Sequence, residues 1–328
     1  MRTNSKAISF ADLITRKKQK ITRTGAFLEK INSLIDFSFT KDIHKKFHNA
    51  SVGRSPYSAT MMFKIILLQQ WYGLSDAAVE EYIYEMKSYQ EFLELTLDDD
   101  IPDETTICRF RNALIEDELD KEFFAEVNRQ LGANGIKVSK GSIVDATINE
   151  VPKGRKKEDK ESSRDEEASF TKKNSRTYHG YKGHISTDTK GKFIKKCHTS
   201  TVKDHDSQHE DKILTGEEDV IFGDSAYINK EKKKEMRKNG KFYGTVERAV
   251  RGHPLSSSQK KRNRKISSVR CRVEHPFAEM KCRMNFKPRY KGLRKNEWQF
   301  MMASAAYNLK RLIGQIIPAQ KQAVIWMT

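Results

Sequence analysis

Cysteine is scarce and long apolar runs are missing from this 328-residue sequence. The four cysteines are widely spread and form no Cys-x-x-Cys pair, which argues against a disulfide framework and a zinc finger. The basic N-terminus lacks the apolar stretch of a secretory signal, and no later segment approaches the roughly eighteen uncharged apolar residues of a membrane span. We therefore expect a cytoplasmic protein with reduced thiols and no membrane partner.

Acidic residues are also too few to balance the basic ones. The chain has 62 Lys and Arg against 44 Asp and Glu, a net charge of +18 and a pI near 9.6. Since each cation that neutralises a phosphate releases counterions, this excess favours a polyanionic partner, with nucleic acid as the first candidate. A basic surface that only keeps the protein in solution is the alternative. At this length, with 37 % hydrophobic residues, the chain can build a core in about two domains.

Residues 1–135 are predicted to be helical. Apolar residues recur at helical spacing through YSATMMFKIILLQQWYGLSDAAVEEYIYEM with an interruption at Gly73, which is typical of two helices joined by a turn. Residues 102–106 begin a further amphipathic helix, whose basic flank carries Arg109 and Arg111. A DNA-binding helix-turn-helix domain and a purely structural bundle both fit this pattern.

After residue 135 the pattern changes to short β-rich runs mixed with helices. The stretch 152–178 has mixed charge and almost no apolar residues, so we expect a flexible surface loop there. Strands followed by mixed strands and helices predict the α/β class for residues 136–320. Strands are predicted at 136–138, 142–148, 181–188, 193–201, 219–224 and 242–246, and helices at 230–239, 267–283 and 296–317.

Three acidic residues are candidates for a site. Asp145 lies within IVDATI and Asp224 ends VIFGD, so each carboxylate adjoins core residues and needs compensation for its desolvation. A carboxylate that caps a turn or accepts backbone hydrogen bonds is the alternative for both. Glu274 shares a helical face with Arg270 and Lys281, a spacing that is also typical of a surface ion-pair network.

If these three acids converge, their charges repel one another strongly. Two charges about 4 Å apart repel by about 4 kcal/mol at an effective dielectric of about 20. A divalent cation relieves this repulsion, and carboxylate oxygens select Mg²⁺ or Mn²⁺ over zinc. A pair of such ions can promote phosphoryl transfer at a phosphodiester. Convergence is a hypothesis about the fold at this point.

A series of motifs runs in order along nearly the whole chain. It comprises GRSPYSATMMFKIILLQQWYGLSDAAVEE, IPDETTICRFRNAL, GSIVDATI, YHGYKGHISTD, HDS, VIFGDSAY, VRCRVEHPFAEMK and FKPRYKGLRKN. This series resembles the bacterial DDE transposases of the insertion-sequence-five family. The resemblance implies an α/β fold class with an RNase H-like catalytic core preceded by an all-helical domain. The helical N-terminal DNA-binding domain would cover 1–135, and the catalytic domain 136–328.

The resemblance also implies a catalytic triad made of Asp145, Asp224 and Glu274. The two aspartates would share the metal ions and Glu274 would hold one of them, with Mg²⁺ as the cofactor and Mn²⁺ as its substitute. Water would attack the phosphodiester at the element's end, and the freed 3′-OH would then attack target DNA. Activated water and a DNA hydroxyl serve as nucleophiles, so no nucleophilic side chain is expected.

The family's helical signature is Tyr-x2-Arg-x3-Glu-x6-Lys. Arg270, Glu274 and Lys281 match its last three positions, whereas Ser267 stands where the family has Tyr. By the resemblance, Arg270 and Lys281 hold the DNA backbone near the scissile phosphate. The departure at Ser267 affects whichever DNA contact the aromatic ring would make.

Further candidates for DNA contact come from the same motifs. Tyr227 is predicted to stack on an unpaired base, with packing against the sheet as the alternative. Lys182 and His184 share one strand face and would either contact phosphate or form an exposed polar face. His205 and Asp206 are interpreted as a helix cap or as groups close to the metal ions.

The sequence thus predicts a Mg²⁺-dependent DNA transposase of the bacterial nucleoid. Its expected partners are double-stranded DNA, as the element's terminal inverted repeats and the target, and a second copy of the chain on that DNA. Arg109 and Arg111 are the expected contacts to the terminal repeats. A nuclease without strand transfer and a DNA-binding regulator without catalysis are the alternatives.

Overall fold

The computed structural model describes residues 21–47, 56–96, 98–136, 138–154, 164–173 and 175–325. Predictions for the N-terminal segment and for 155–163 lie outside these ranges. Within them, no helix combines the length and the apolar character that a membrane span requires.

The N-terminal part of the described chain is helical up to residue 133, as predicted. Gly73 ends one helix in the left-handed region, at φ 67°, and its N–H donates to the carbonyl of Gln69. The hydroxyl of Ser75 then accepts from the N–H of Ala78 and begins the next helix. The helices are α1 (Arg23–Leu34), α2 (Phe39–Phe47), α3 (Ala59–Tyr72), α4 (Asp76–Glu85), α5 (Lys87–Leu93), α6 (Glu104–Glu116) and α7 (Asp120–Ala133).

A six-stranded sheet follows, with strand order β2-β3-β1-β5-β6 and β4 paired to β3. The pairs β1–β3, β2–β3 and β3–β4 are antiparallel, whereas β5 runs parallel to both β1 and β6. The sheet is therefore mixed, and the chain has the predicted α/β character. The strands are β1 (Gly141–Glu150), β2 (Ser169–Lys173), β3 (Arg176–Asp188), β4 (Ile194–Thr201), β5 (Val220–Gly223) and β6 (Phe242–Thr245).

Part of the predicted loop 152–178 belongs to this sheet. Strand β2 and the first residues of β3 form an antiparallel ladder that pairs Phe170 with His179, and their rings lie 4.3 Å apart between centroids. The carboxylate of Asp165 accepts a 2.8 Å hydrogen bond from the hydroxyl of Tyr181. The structure corrects the loop prediction here, because backbone ladder bonds form an edge strand without an apolar run.

The chain around Glu274 is not the single helix predicted for 267–283. Helix α10 (Ser257–Arg270) begins ahead of that range, where a reciprocal capping box joins Ser256 and Gln259. A 3₁₀ turn, the short α11 (Glu274–Ala278) and a π turn follow. Pro276 has no backbone N–H, which prevents a continuous α-helical hydrogen-bond ladder at this point. Glu274 is therefore the first residue of a short helix. The other helices of this half are α8 (Glu210–Ile213), α9 (Lys230–Lys238) and α12 (Leu293–Ile325).

Helix α12 connects the helical part to the sheet. The indole N–H of Trp71 in α3 donates to the carbonyl of Ala306 at 2.8 Å, and the side chain of Asn308 makes hydrogen bonds to both backbone groups of Ile194 in β4. One continuous apolar cluster includes residues of the N-terminal helices, of α12 and of β1, β3 and β4. The face of the sheet opposite α12 is covered by a smaller cluster that contains Val144 and Tyr227.

Candidate active site

Asp145 lies on β1, and Asp224 directly follows the neighbouring parallel strand β5. In the β1–β5 ladder, Ser142 lies opposite Ile221 and Ile143 opposite Phe222. The ladder ends at the second of these pairs, and each aspartate follows two residues later along its own segment. Since neighbouring strands are about 4.8 Å apart, the two aspartates lie near each other at the carboxyl end of β5, and the charge of Asp224 acts on the carboxyl of Asp145.

Asp145 is surrounded by groups of both charges. One oxygen of its carboxylate accepts from the N–H of Ala146 at 2.9 Å, and the other lies 3.0 Å from the guanidinium of Arg270. Burial raises the pKa of this carboxyl to about 6. The Ala146 bond and Arg270 oppose that rise, whereas the charges of Asp224 and Asp206 add to it. Because burial disfavours the ionised form of this carboxyl, any further positive charge nearby would stabilise that form.

Asp224 begins a 3₁₀ turn that follows β5. Its Oδ1 accepts from the N–H of Ala226 at 2.8 Å, so the alternative interpretation as a turn cap applies to this oxygen. The cap fixes the orientation of the carboxylate through one oxygen. Capping is therefore compatible with a role in a site.

Glu274 is joined to this site through Arg270. The guanidinium that contacts Asp145 also lies 3.7 Å from Oε1 of Glu274, whose side chain is 65 % exposed. Arg270 thus stands between the helix acid and the strand acid, and it is the cation that compensates both. The i,i+4 pair that the sequence suggested is present, and it also forms part of this acidic site.

The donor chemistry of the site fits a hard divalent cation, although its present arrangement is incomplete. Asp145 and Asp224 both offer carboxylate oxygens near the end of the β1–β5 ladder, and because burial disfavours the ionised form of Asp145, an added cation would stabilise it. Within the ranges that the structure describes, no three acidic, histidine or cysteine side chains are arranged to hold one ion. Glu274 would join the pair only after the contacts of Arg270 rearrange.

Residues 137–309, which include all three acids, match the family described as Transposase DDE domain. The chain belongs to this DDE transposase family. Residues 15–113 match a second family, described as Transposase domain (DUF772). The protein is therefore a DNA transposase, an enzyme of DNA transposition, and DDE transposases generally use divalent metal ions.

The cryo-EM structure of a piggyBac transposase synaptic complex with hairpin DNA is similar to this transposase. The alignment covers 91 % of this chain and 75 % of that one, at 10 % sequence identity and a TM-score of 0.46.

Two cations of the transposase that were predicted to hold DNA make contacts inside the protein. The ammonium of Lys281 donates to the hydroxyl of Thr147 at 2.6 Å and to the carbonyl of Ile148 at 2.7 Å. Arg270 is engaged by the two acids described above. The structure thus assigns both side chains to the support of strand β1 and of the acidic site, and leaves their predicted DNA contacts as proposals.

Arg111 and His184 are buried, which corrects the DNA contacts predicted for them. Arg111 is 4 % exposed, makes a bidentate ion pair with Asp76 and lies 4.7 Å from the ring centre of Tyr290. His184 is fully buried, and one ring nitrogen bonds to Ser200 at 2.8 Å. Neither side chain is accessible to a phosphate. In contrast, Arg109 is exposed on α6.

Tyr227 and Lys182 also have surroundings that differ from the prediction. Tyr227 is 1 % exposed within the smaller apolar cluster, so its ring has no free face for a base, and the packing alternative is the observed one. The ammonium of Lys182 donates to the carboxylate of Asp206 at 2.8 Å and to the carbonyl of Asp204 at 2.6 Å. The cation is already paired within the protein, and its predicted phosphate contact stays a prediction. His205 caps the turn that Asp206 begins, as one interpretation of the sequence expected.

An exposed basic surface adjoins the acidic site along the elements that lead to it. Helix α10 ends at Arg270, and its exposed face carries Lys260, Lys261, Arg264 and Lys265. The loop between β6 and α10 adds Arg248 and Arg251, both exposed. These side chains supply the positive potential that a DNA backbone requires.

Proposed function

We propose that this transposase belongs to the insertion-sequence-five group and cuts DNA at the ends of its element, then joins the freed 3′-OH to target DNA. The observation that carries the proposal is the position of Asp145 and Asp224, each two residues beyond the last pair of the β1–β5 ladder, with Glu274 linked to Asp145 through Arg270. These residues would be the catalytic triad. The order of the strands around them supports an RNase H-like core.

We infer that the cation is Mg²⁺, with Mn²⁺ as its substitute, since the candidate ligands are all carboxylates. When bound, the metal would activate the attacking oxygen and stabilise the leaving one. Asp145 and Asp224 would hold it between the strands, and Glu274 would complete the set. Arg270 would then be free to turn toward a DNA phosphate.

In this proposal the two halves of the chain have different roles, DNA binding and catalysis. Residues 1–135 would bind the terminal inverted repeats, with exposed Arg109 as a contact, and residues 136–328 would carry the chemistry. The basic face of α10 would follow the duplex toward the scissile phosphate. Because two ends must be joined, a homodimer would assemble on the DNA, at the bacterial nucleoid.

The test is a cleavage and joining assay with a labelled oligonucleotide that carries the element's end. With Mg²⁺, the wild-type protein is expected to produce a nick and then joined products, and Asp145→Ala is expected to produce neither. Binding of the same DNA should be retained or improved, because the substitution removes a negative charge beside the backbone. Asp211→Ala, at a side chain that is 92 % exposed, is the matched control.

The outcomes separate the alternatives. Nicks without joined products would identify a nuclease on the same scaffold. Binding without any nick in the wild-type protein would identify a DNA-binding regulator. Loss of DNA binding in Asp145→Ala would mean that Asp145 has a structural role, and would contradict the proposed triad.

A further inference from the structure

Two polar groups beside the Asp145–Asp224 pair have no part in the function proposed above. They are the carboxylate of Asp206 and the hydroxyl of Tyr227. Each lies on a 3₁₀ turn, one over Asp206–His209 and the other over Ser225–Tyr227, and the two turns pack against each other. Since Asp224 caps the second turn, both turns lie close to one of the candidate ligands.

Asp206 is held in one orientation by Lys182. Their ion pair measures 2.8 Å, and the two side chains are only 24 % and 16 % exposed. The same ammonium also donates to the carbonyl of Asp204, so the lysine is fixed from two sides. A half-buried ion pair is a weak source of stability, because desolvation offsets most of the attraction. Its effect here is to hold the Asp206 carboxylate in one place, from which its charge acts on Asp145.

The hydroxyl of Tyr227 is buried, and the charges of the same acids act on it. Among the residues that the structure describes, this hydroxyl has no hydrogen-bond partner. The charges that act on it belong to Asp206, Asp145, Asp224 and Glu210, and together with burial they raise the pKa of the phenol. The hydroxyl therefore stays protonated, and it remains available as a donor toward whatever the acids bind.

We propose that Asp206 and Tyr227 are positioning residues for the cation of this transposase, acting on its hydration shell and not as direct ligands. Asp206 adds a third negative charge beside the carboxylate pair, which strengthens the attraction for a divalent cation. Tyr227 donates toward the site from the side of the smaller apolar cluster. This inference rests on the proposed function, because it presumes a cation at Asp145 and Asp224.

If the Tyr227 hydroxyl had a purely structural role, its removal would lower the stability of the fold. Its hydroxyl makes no hydrogen bond within the described ranges, so Tyr227→Phe removes no bond that stabilises the fold. Tyr243 offers the matched control, because its hydroxyl donates to Glu210 and to the carbonyl of Tyr227. Tyr243→Phe should lower the thermal stability, whereas Tyr227→Phe should not.

The experiment is a calorimetric titration of the full chain with Mn²⁺ in the absence of DNA, together with thermal unfolding of each variant. Asp206→Asn and Tyr227→Phe are each expected to weaken Mn²⁺ binding by about tenfold, the effect typical of outer-shell partners. Tyr243→Phe and Asp211→Asn are expected to bind Mn²⁺ as the wild type does. Asp211 is exposed and belongs to the same segment, so it controls for the loss of one negative charge.

Wild-type Mn²⁺ affinity in a folded Tyr227→Phe or Asp206→Asn variant would overturn the role of that residue and leave the proposed triad in place. Should Asp206→Asn fail to fold, Asp206→Glu is used in its place to test the carboxylate. Tyr227→Phe tests the role of the hydroxyl independently. A wild-type chain that binds no Mn²⁺ would instead overturn the metal site of the proposed function, and this inference with it.

Discussion

Arg109 and Arg111 are two residues apart on α6 and lie in opposite surroundings. Arg109 is exposed, whereas Arg111 is packed between Asp76 and the ring of Tyr290. Helical geometry separates neighbouring side chains by about 100° around the axis, so two such residues point in different directions. The same residue type therefore serves two purposes within one turn.

This contrast predicts opposite effects for two matched substitutions. Arg111→Met is expected to lower the free energy of unfolding by about 3 kcal/mol, because it leaves a partly buried carboxylate without its partner. Arg109→Met should leave stability unchanged and reduce the salt slope of DNA binding by about 0.9. Urea unfolding and binding at several salt concentrations measure the two effects. Weaker DNA binding by a fully stable Arg111→Met variant would contradict the burial argument.

His184 makes the folding stability of the protein depend on pH in the acidic range. Burial, followed by the charges of His209 and His198, lowers the pKa of the His184 imidazole to about 3 from the ordinary 6.5. Between these two values the unfolded chain binds a proton that the folded chain does not. The stability from this group is therefore complete above about pH 6.5 and is lost as the pH falls.

The expected slope for one such proton is about 1.4 kcal/mol of unfolding free energy per pH unit. His184→Asn should remove that contribution between about pH 6 and pH 4. His205→Asn, at an exposed histidine, is the control and should keep the wild-type slope. Urea denaturation at each pH supplies the measurement, and equal slopes for His184→Asn and the wild type would refute the prediction.

At the scale of elements, strand β1 depends on a side chain from the π turn after α11. Strand β5 pairs with β1 only from Gly141 to Ile143, so the later residues of β1 lack a strand neighbour on that side. Lys281 donates to Thr147 and Ile148, just beyond Asp145. It thereby stabilises the part of the strand that presents the acid.

Lys281→Met is expected to lower the free energy of unfolding by about 1 kcal/mol, because a partly buried carbonyl and hydroxyl lose their donor. The salt slope of DNA binding should not change. Lys261→Met, on the exposed face of α10, should show the reverse pattern. A stable Lys281→Met variant with a reduced salt slope of DNA binding would contradict this role and support the predicted contact of Lys281 with the DNA backbone.

The elements that sequence patterns predicted well are those with a strong periodic signal. The Gly73 turn and the strands β1 and β5 appear near their predicted bounds, and the C-terminal helix predicted at 296–317 is present over the longer range Leu293–Ile325. Strand β2 was missed because its sequence, SFTKK, has one apolar residue and is stabilised by pairing with β3. The start of α10 was missed because its residues are almost all polar, so its signal is a capping box and not a periodicity.

At the scale of the whole molecule, helix α12 ties the N-terminal helices to the sheet. Arg294, near its start, makes a bidentate ion pair with Asp120, a fully buried residue at the start of α7. Further along α12, Ala306 and Asn308 bond to α3 and to β4. A core that runs through both parts should unfold as a unit.

We therefore expect one cooperative transition for the full chain, with coincident curves from tryptophan fluorescence and circular dichroism. Asp120→Asn should shift both curves together, at a loss of about 3 kcal/mol. Two separate transitions, or a shift in one probe alone, would show that the helical part and the sheet fold independently.

The sequence by itself determined the chemistry of this transposase: an excess of basic charge, three acids in their motifs, and elements read from periodicity. Those properties depend on residue type and on local spacing, which the chain contains directly. Only the tertiary structure decided which side chains meet, because burial and pairing depend on residues far apart in the chain. That is why Asp145 and Asp224 lie near each other, why Arg270 lies between Asp145 and Glu274, and why Arg111, unlike Arg109, is shielded from solvent.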